Sequence, residues 1–203
     1  MTKSDSKEAL LQEAKKIFAR SGYDGATVKE IADAAGMNIS MVSYHFDGKE
    51  NLFRACVEEF AHSRLASTEK FLKGPDSLED MRVRLNLLIE EFFDYNLQEP
   101  HINEIMLRDC SAKNPITHDL YMNVFSKAFD NLVAFFRRAQ KKGLLAKDIE
   151  TEDRVRFFIG GMVHTVRTDP MHEELHGASL KQKFYRERLA RSLVRMALEG
   201  AIP

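Results

Sequence analysis

Residues Thr27 to Leu52 read TVKEIADAAGMNISMVSYHFDGKENL, and the punctuation of this stretch decides the fold. Thr27 and Glu30 stand at capping-box spacing, where the Thr side chain accepts from the backbone of the Glu and the Glu reaches back. Val28, Ile31, Ala32 and Ala35 then fall on one face at helical spacing. Gly36 follows, suited to the left-handed conformation that ends a helix. Asn38 is placed to cap a second helix, Ile39 to about His45, with Met41 or Val42 turned inward. Asp47 and Glu50 repeat the capping-box spacing and predict a third helix. Two short helices joined by a tight turn form a helix-turn-helix, whose second helix is built to lie in a DNA major groove.

The chemistry of that second helix agrees. Its outward positions, Asn38, Ser40, Ser43 and Tyr44, all carry groups that hydrogen-bond to bases or phosphates. Tyr44 and His45 stand at its C-terminal end, and Phe46 reads as a core anchor. Lys49 opens the next helix, where free backbone N–H groups and a positive charge together suit a phosphate. Lys29 lies near the turn. The same pattern also describes an ordinary helical corner with a solvated polar face, and such corners are common in all-α proteins.

The order Thr27-Val28-Lys29-Glu30-Ile31-Ala32, Ala35-Gly36, Tyr44-His45-Phe46 and Lys49-Glu50-Asn51-Leu52 resembles the TetR family of bacterial one-component regulators. Ile17, Phe18, the Gly22-Tyr23 turn and Ala26-Thr27 resemble that family's first helix and its exit, so the likeness covers residues 8–60. The remainder matches only in helical architecture and length. The resemblance implies a homodimer with an N-terminal DNA-binding domain and a C-terminal domain that binds a small molecule and releases DNA. Carried over by position, Thr27, Ser43, Tyr44, His45 and Lys49 would be DNA contacts, mostly to phosphate. The departure is Asn38-Ile39-Ser40-Met41, where the family often has a Ser, a Lys or Arg and a Gly; the operator sequence therefore does not transfer.

With 203 residues the chain is long enough for one medium domain or two small ones. The expected division is a DNA-binding domain over residues 1–50 and an effector-binding and dimerisation domain over 51–203, with a fourth helix linking them. The net charge is −1, and residues 1–56 hold eight basic and eight acidic side chains. DNA binding would thus rest on local placement, with Lys3 and Lys7 on an N-terminal arm and Lys29 and Lys49 near the turn. Cys56 and Cys110 lie far apart without ligand-like spacing, which suggests a reduced compartment. No stretch reads as a signal peptide or a membrane span, so a cytoplasmic location is expected.

The rest of the chain reads as helices. Ser6 caps helix 1, which Gly22 stops after about Ser21. Helix 4 runs from Lys49 to about Leu72. Ser77 and Asp80 open helix 5, and Pro100 ends it. Helix 6 is Ile102 to about Asp109. Asn114-Pro115 opens helix 7, the longest, which runs to Gly143. Helix 8 runs from about Thr151 to Asp169-Pro170, and helix 9 from a Ser179–Gln182 capping box to Gly200. Nine helices and no sheet make an all-α protein.

Three further features carry expectations. The second half is rich in Phe and Met, which predicts either a packed core or an apolar pocket for an effector that is partly apolar or aromatic. Phe92, Arg108, Tyr121, Phe125, Phe129, His164 and Arg167 are its candidate contacts. Gly160-Gly161 sits inside helix 8, where each glycine costs about 1 kcal/mol against alanine and invites close approach of another helix. The family resemblance places the dimer interface on the last two helices, with Gly160, Gly161, Leu189, Leu193, Val194 and Ala197 as candidates. His172-Glu173-Glu174-Leu175-His176 matches H-E-x-x-H, but it falls between Pro170 and Gly177 and reads as a solvated loop. The reading is a DNA-binding transcriptional regulator and a repressor, with no enzymatic activity, cofactor or metal. Its rivals are a helical sensor or adaptor that no longer binds DNA, and a zinc hydrolase using His172 and His176.

Overall fold

The computed structural model describes residues 3–108 and 113–199. Among these the chain is helical, without a strand. The helices are α1 Lys3–Gly25, α2 Val28–Ala34, α3 Ser40–Phe46, α4 Lys49–Phe71, α5 Leu78–Gln98 and α6 Pro100–Arg108. Next comes α7, which starts as His118–Leu120, passes through a π-helical turn Tyr121–Phe125 and continues as Ser126–Lys141. The last two are α8 Thr151–His176 and α9 Lys183–Glu199. By contacts the chain forms two compact units, Met1–Ser63 with Glu99–Phe125, and Arg64–Gln98 with Ser126–Pro203. This division runs otherwise than a boundary after residue 50, because α6 and the start of α7 group with the N-terminal helices.

In the first unit the periodic apolar positions become the core. Leu10, Ala14, Ile17 and Phe18 of α1 are buried with Ile31, Ala32, Val42, Phe46, Leu52, Phe53, Cys56 and Val57. Phe53 meets Phe18 and Tyr23 edge-on, each at 5.1 Å between ring centres. Burial of such a side chain is worth about 1.5–3 kcal/mol. Among these apolar groups Lys15 is buried, with Nζ 2.8 Å from Glu59 and 3.1 Å from Glu99. Burial alone would lower its pKa, but the two carboxylates outweigh it and hold the ammonium above its ordinary value. Arg54 of α4 donates to the Ile116 carbonyl at 3.0 Å and pairs with Asp119, which ties the approach to α7 onto α4.

The second unit buries Met81, Leu85, Leu88, Ile89, Phe92 and Phe93 of α5, together with Leu132, Phe135 and Phe136 of α7. Val155, Phe158 and Met162 of α8 and Ala190, Val194 and Ala197 of α9 join them. The α5 cap forms as expected, with Ser77 Oγ accepting from the Asp80 N–H at 3.0 Å.

Several expected boundaries move. Ser6 lies inside α1, so Lys3 and Lys7 belong to a helix rather than an arm, and Lys7 Nζ stands 5.6 Å from the Phe46 ring centre. Pro100 opens α6 rather than merely ending α5, since proline is at home in a first helical turn. Asn114 shapes a turn instead of a cap, its Oδ1 accepting from the Ile116 N–H at 2.9 Å, and α7 starts only at His118. The longest helix is α8, with 26 residues, and Pro170 lies within it. Proline there removes one helical hydrogen bond. The Asp169 carboxylate offsets that loss by accepting from Ser179 Oγ at 2.9 Å and the Leu180 N–H at 2.8 Å. Ser179 is thereby drawn to Asp169, and α9 starts only at Lys183. Cys110 and Gly200 lie outside the described residues.

Candidate nucleic-acid interface

The turn between α2 and α3 is built from local hydrogen bonds. Thr27 Oγ1 accepts from the Glu30 N–H at 3.1 Å, and the Glu30 carboxylate takes the Arg20 guanidinium. The exit of α2 is closed by the Met37 N–H on the Ala32 carbonyl at 2.9 Å and the Gly36 N–H on that of Asp33 at 3.0 Å. Gly36 has φ 66°, a conformation that strains other side chains. Asn38 Oδ1 then accepts from the Ser40 N–H at 2.9 Å and starts α3, one residue later than predicted. Val42 and Phe46 are buried while Met41 is half-buried, which settles the inward position as Val42.

The far end of α3 departs from expectation. Asp47 takes the left-handed conformation, φ 57°, and its N–H bonds the Ser43 carbonyl at 2.9 Å. It therefore ends α3 and does not cap α4, because an N-cap needs an extended backbone. The Gly48 carbonyl accepts from the Leu52 N–H at 3.2 Å instead.

This scaffold sets the candidate DNA contacts apart. Thr27, Lys29, Asn38, Ser40, Ser43 and Tyr44 are exposed, Tyr44 by 62%. They expose hydroxyl, amide and ammonium groups on α2, the turn and α3, chemistry that serves both phosphates and base edges. His45 is half-buried instead, its ring centre 5.0 Å from Tyr44 and 6.3 Å from Phe46, and its Nε2 is buried without a hydrogen-bond partner. Lys49 is also half-buried, with Nζ 4.5 Å from the Tyr23 ring centre. Burial pushes the Tyr23 phenol above its ordinary pKa, and Glu50 and Asp24 push the same way. Ile39 is 51% exposed beside the polar groups and offers the apolar contact that suits a thymine methyl. The Tyr23–Lys49 pairing was not legible in the sequence, since the two lie too far apart for any helical spacing to show it.

The candidate effector residues fall in both units. Arg108, Tyr121 and Phe125 belong to the first unit; Phe92, Phe129, His164 and Arg167 belong to the second. Arg108 donates to the Phe18 carbonyl and lines an open cleft of about 460 Å³ with Tyr23, Asp24, Lys113, Asn114, Pro115 and Ile116. His164 and Arg167 are exposed on α8, not set among core groups, whereas Phe92 is buried. Sequence reasoning passed over the polar groups around Phe92. The Arg64 guanidinium stands 5.5 Å from the Phe92 ring centre, 4.7 Å from that of Tyr95 and 3.6 Å from Glu91. Burial lowers its pKa, while Glu91 and Tyr95 act in the opposite direction. Glu91 Oε2 and Asn96 Oδ1 are buried there without a hydrogen-bond partner.

The candidate dimer residues also divide. A Cβ at Gly161 would meet Leu193 Cδ2 at 2.7 Å, so this glycine admits α9 of its own chain, whereas Gly160 faces open space. Val194 and Ala197 are buried within the unit and Leu189 is half-buried. The apolar groups left outward on α8 and α9 are Phe157, Met171, Leu175, Phe184 and Met196, with Phe157 77% and Phe184 74% exposed. His172 to His176 forms the last turns of α8 and is not a loop. Glu173 is held by Lys181 at 2.8 Å. Among the described residues no group of three or more His, Cys, Asp or Glu could hold a metal ion, so the third ligand of a zinc hydrolase is not assembled there.

Comparison with known proteins gives a consistent picture. Residues 10–56 match the family described as bacterial regulatory proteins, tetR family. The chain is 24% identical over 200 residues to the HTH-type transcriptional regulator RutR of Escherichia coli (strain K12), covering 98% of this chain and 92% of RutR. It is 33% identical over 94 residues to the HTH-type transcriptional repressor AcnR of Corynebacterium glutamicum, covering 41% of this chain and 50% of AcnR. In fold it is similar to the transcriptional regulator FadR of Bacillus subtilis, solved in complex with stearoyl-CoA. That likeness has a TM-score of 0.75 at 15% identity, over 96% of this chain and 99% of that one. The regulator PfmR of Thermus thermophilus matches with a TM-score of 0.71 at 21% identity, over 96% and 99% of the two chains. No helix among the described residues is long and apolar enough to cross a membrane.

Proposed function

The chain belongs to the TetR family and is a helix-turn-helix transcriptional regulator, and on that premise we propose that it is a cytoplasmic, homodimeric repressor without enzymatic activity. Two copies of α3 read the half-sites of a near-palindromic operator, at a spacing fixed by the dimer. The observation that carries this reading is the division of α3 into a buried face, Val42 and Phe46, and an exposed one, Ser40, Ser43 and Tyr44. Tyr44, Thr27 and Lys29 hold phosphates, while Ser40, Ser43, Asn38 and Ile39 meet base edges. Lys49 reaches a phosphate by leaving the Tyr23 face, and His45 acts by fixing the Tyr44 ring.

The dimer forms through the outward apolar stripe of α8 and α9, Phe157, Met171, Leu175, Phe184 and Met196, as a self-complementary patch. A small-molecule effector is held in the second unit around Phe92, where the polar groups of Arg64, Glu91 and Asn96 orient a partly apolar or aromatic molecule. It releases DNA because it prefers an arrangement in which the two α3 helices no longer fit their half-sites. FadR of Bacillus subtilis, a relative in fold, is solved in complex with stearoyl-CoA, a ligand that joins an apolar acyl chain to a polar, charged coenzyme A.

The test is fluorescence-anisotropy binding to a duplex from the region upstream of the protein's own gene, at two salt concentrations. Saturable binding that survives competitor DNA is expected. Tyr44→Phe and Lys49→Ala should weaken binding to all sequences alike, with Lys49→Ala lowering the salt slope by about one. Ser40→Ala and Ser43→Ala should change preference among sequences. If Tyr44→Phe and Lys49→Ala both bind as tightly as the wild type at moderate salt, the contact assignment fails.

A further inference from the structure

We propose that the last turns of α8 form a two-histidine site for a divalent transition-metal ion, with His172 and His176 as its ligands. The two stand four residues apart in α8, so their side chains project from one face, one turn apart. Their ring centres are 5.5 Å apart. With a metal–nitrogen bond of about 2.1 Å and the ring centre about 1.1 Å beyond the nitrogen, two imidazoles on one ion stand about 4.5 Å apart at a right angle and about 5.2 Å apart at the tetrahedral angle. The observed separation exceeds these by about 1 Å or less, a gap that a small side-chain rotation closes.

The turn that carries the pair is fixed. Gly177 ends α8 in the left-handed conformation, φ 63°, and its N–H bonds the Glu173 carbonyl at 3.0 Å. One turn earlier Asp169 is anchored to Ser179 and Leu180. Both histidines are thus held helical, and chelation requires little ordering. His176 lies in the last turn, where the negative end of the helix dipole favours a cation. Lys181, the ammonium closest in sequence, is neutralised by Glu173 at 2.8 Å. His172 is half-buried and His176 exposed, so water can complete the coordination.

The donor set selects the ion. Imidazole suits Cu²⁺, Ni²⁺ and Zn²⁺ and offers little to Mg²⁺ or Ca²⁺. Two protein ligands give a chelate and not a closed structural centre, which distinguishes this site from the hydrolase that the H-E-x-x-H spacing suggests. Cu²⁺ should bind most tightly of the three.

The experiment is calorimetric titration of the full chain, free of any affinity tag, with Cu²⁺, Ni²⁺, Zn²⁺ and Mg²⁺. Saturable binding of the first three and not of Mg²⁺ is expected, with Cu²⁺ tightest. His172→Ala and His176→Ala should each weaken binding about tenfold or more, because each loses the effective concentration of the second imidazole. Adding Glu174→His to His176→Ala restores the number of histidines but not their spacing, and should leave binding weak. Ni²⁺ should raise the melting temperature of the wild type and not that of either single variant. Circular dichroism confirms that the variants keep their helices. Undiminished binding in either single variant, recovery with Glu174→His, or no binding by the wild type would each overturn the proposal.

Discussion

The two units hold their buried charges differently. In the first, Lys15 of α1 sits between the carboxylates of Glu59 and Glu99, at 2.8 and 3.1 Å, so charge answers charge across elements. In the second, the buried charges of Asp169 and Arg154 make their shortest contacts to backbone, although Arg154 also stands 3.7 Å from Asp148. Asp169 accepts from the Leu180 N–H, and Arg154 donates to the Ala197 carbonyl at 2.6 Å. Both carboxylates that face Lys15 keep some access to water, whereas the groups around Asp169 do not. Removing a charge therefore leaves different debris in the two units: hydratable carboxylates in one, buried donors (from Asp169) or a buried carbonyl (from Arg154) in the other.

The largest expected effect breaks the charge–charge side. Lys15→Met keeps the apolar stem and deletes the ammonium, and should cost about 3 kcal/mol in urea unfolding, at the lower end for a broken buried pair. A cost below about 1 kcal/mol would show that the pair merely balances its own desolvation. The next effect tests the other side. Asp169→Ala orphans the Leu180 N–H and the Ser179 hydroxyl and should cost about 2 kcal/mol. Asp169→Asn, which can still accept from Leu180, should recover part of that, and equal losses in the two variants would refute the backbone role.

A smaller effect probes how closely α8 and α9 approach. Gly160→Ala should stabilise by up to about 1 kcal/mol, since its methyl meets open space and helix propensity improves. Gly161→Ala should gain less, because its methyl must first displace the Leu193 side-chain end at 2.7 Å. The order of the two melting temperatures reads out the close approach directly. The smallest effect lies in acid. Hydrogen bonds from Arg54, Arg84 and Arg82 hold the Asp119, Asp80 and Glu199 carboxyls below their usual values of 3.8, 3.8 and 4.5. Lowered folded-state values mean that this stability is present above the usual values and is lost as pH falls through the folded ones. Melting temperatures between about pH 5 and pH 2 should fall less steeply for Arg54→Met, which removes the Asp119 share.

The helix-turn-helix was legible because its determinants act over a few residues. The Thr27 cap, the Gly36 turn and the Phe46 anchor form as their spacing predicts, and Asn38 accepts from Ser40 with α3 starting one residue late. The candidate site was legible to the same depth: Ser40, Ser43 and Tyr44 are outward because Val42 and Phe46 are inward. That His45 and Lys49 are half-buried was not legible, because what covers them, the packing beside Phe46 and the Tyr23 ring, depends on the assembled unit.

By itself, then, the sequence determined the helical class, the recognition corner and the apolar face of each long helix, all through contacts within about one helical turn. Tertiary structure decided the competitions that local rules leave balanced. Asp47 matched a cap of α4, yet it ends α3 in the left-handed conformation, between the buried Phe46 and Leu52. Pro170 signalled an end, yet α8 continues to His176 while Asp169 gathers Ser179 and Leu180. Lys15 carries no local signal of burial, and Glu59 and Glu99 are what hold it there. In each case alternatives that differ by about a kilocalorie locally are separated by partners distant in sequence, and spacing alone does not reveal those partners.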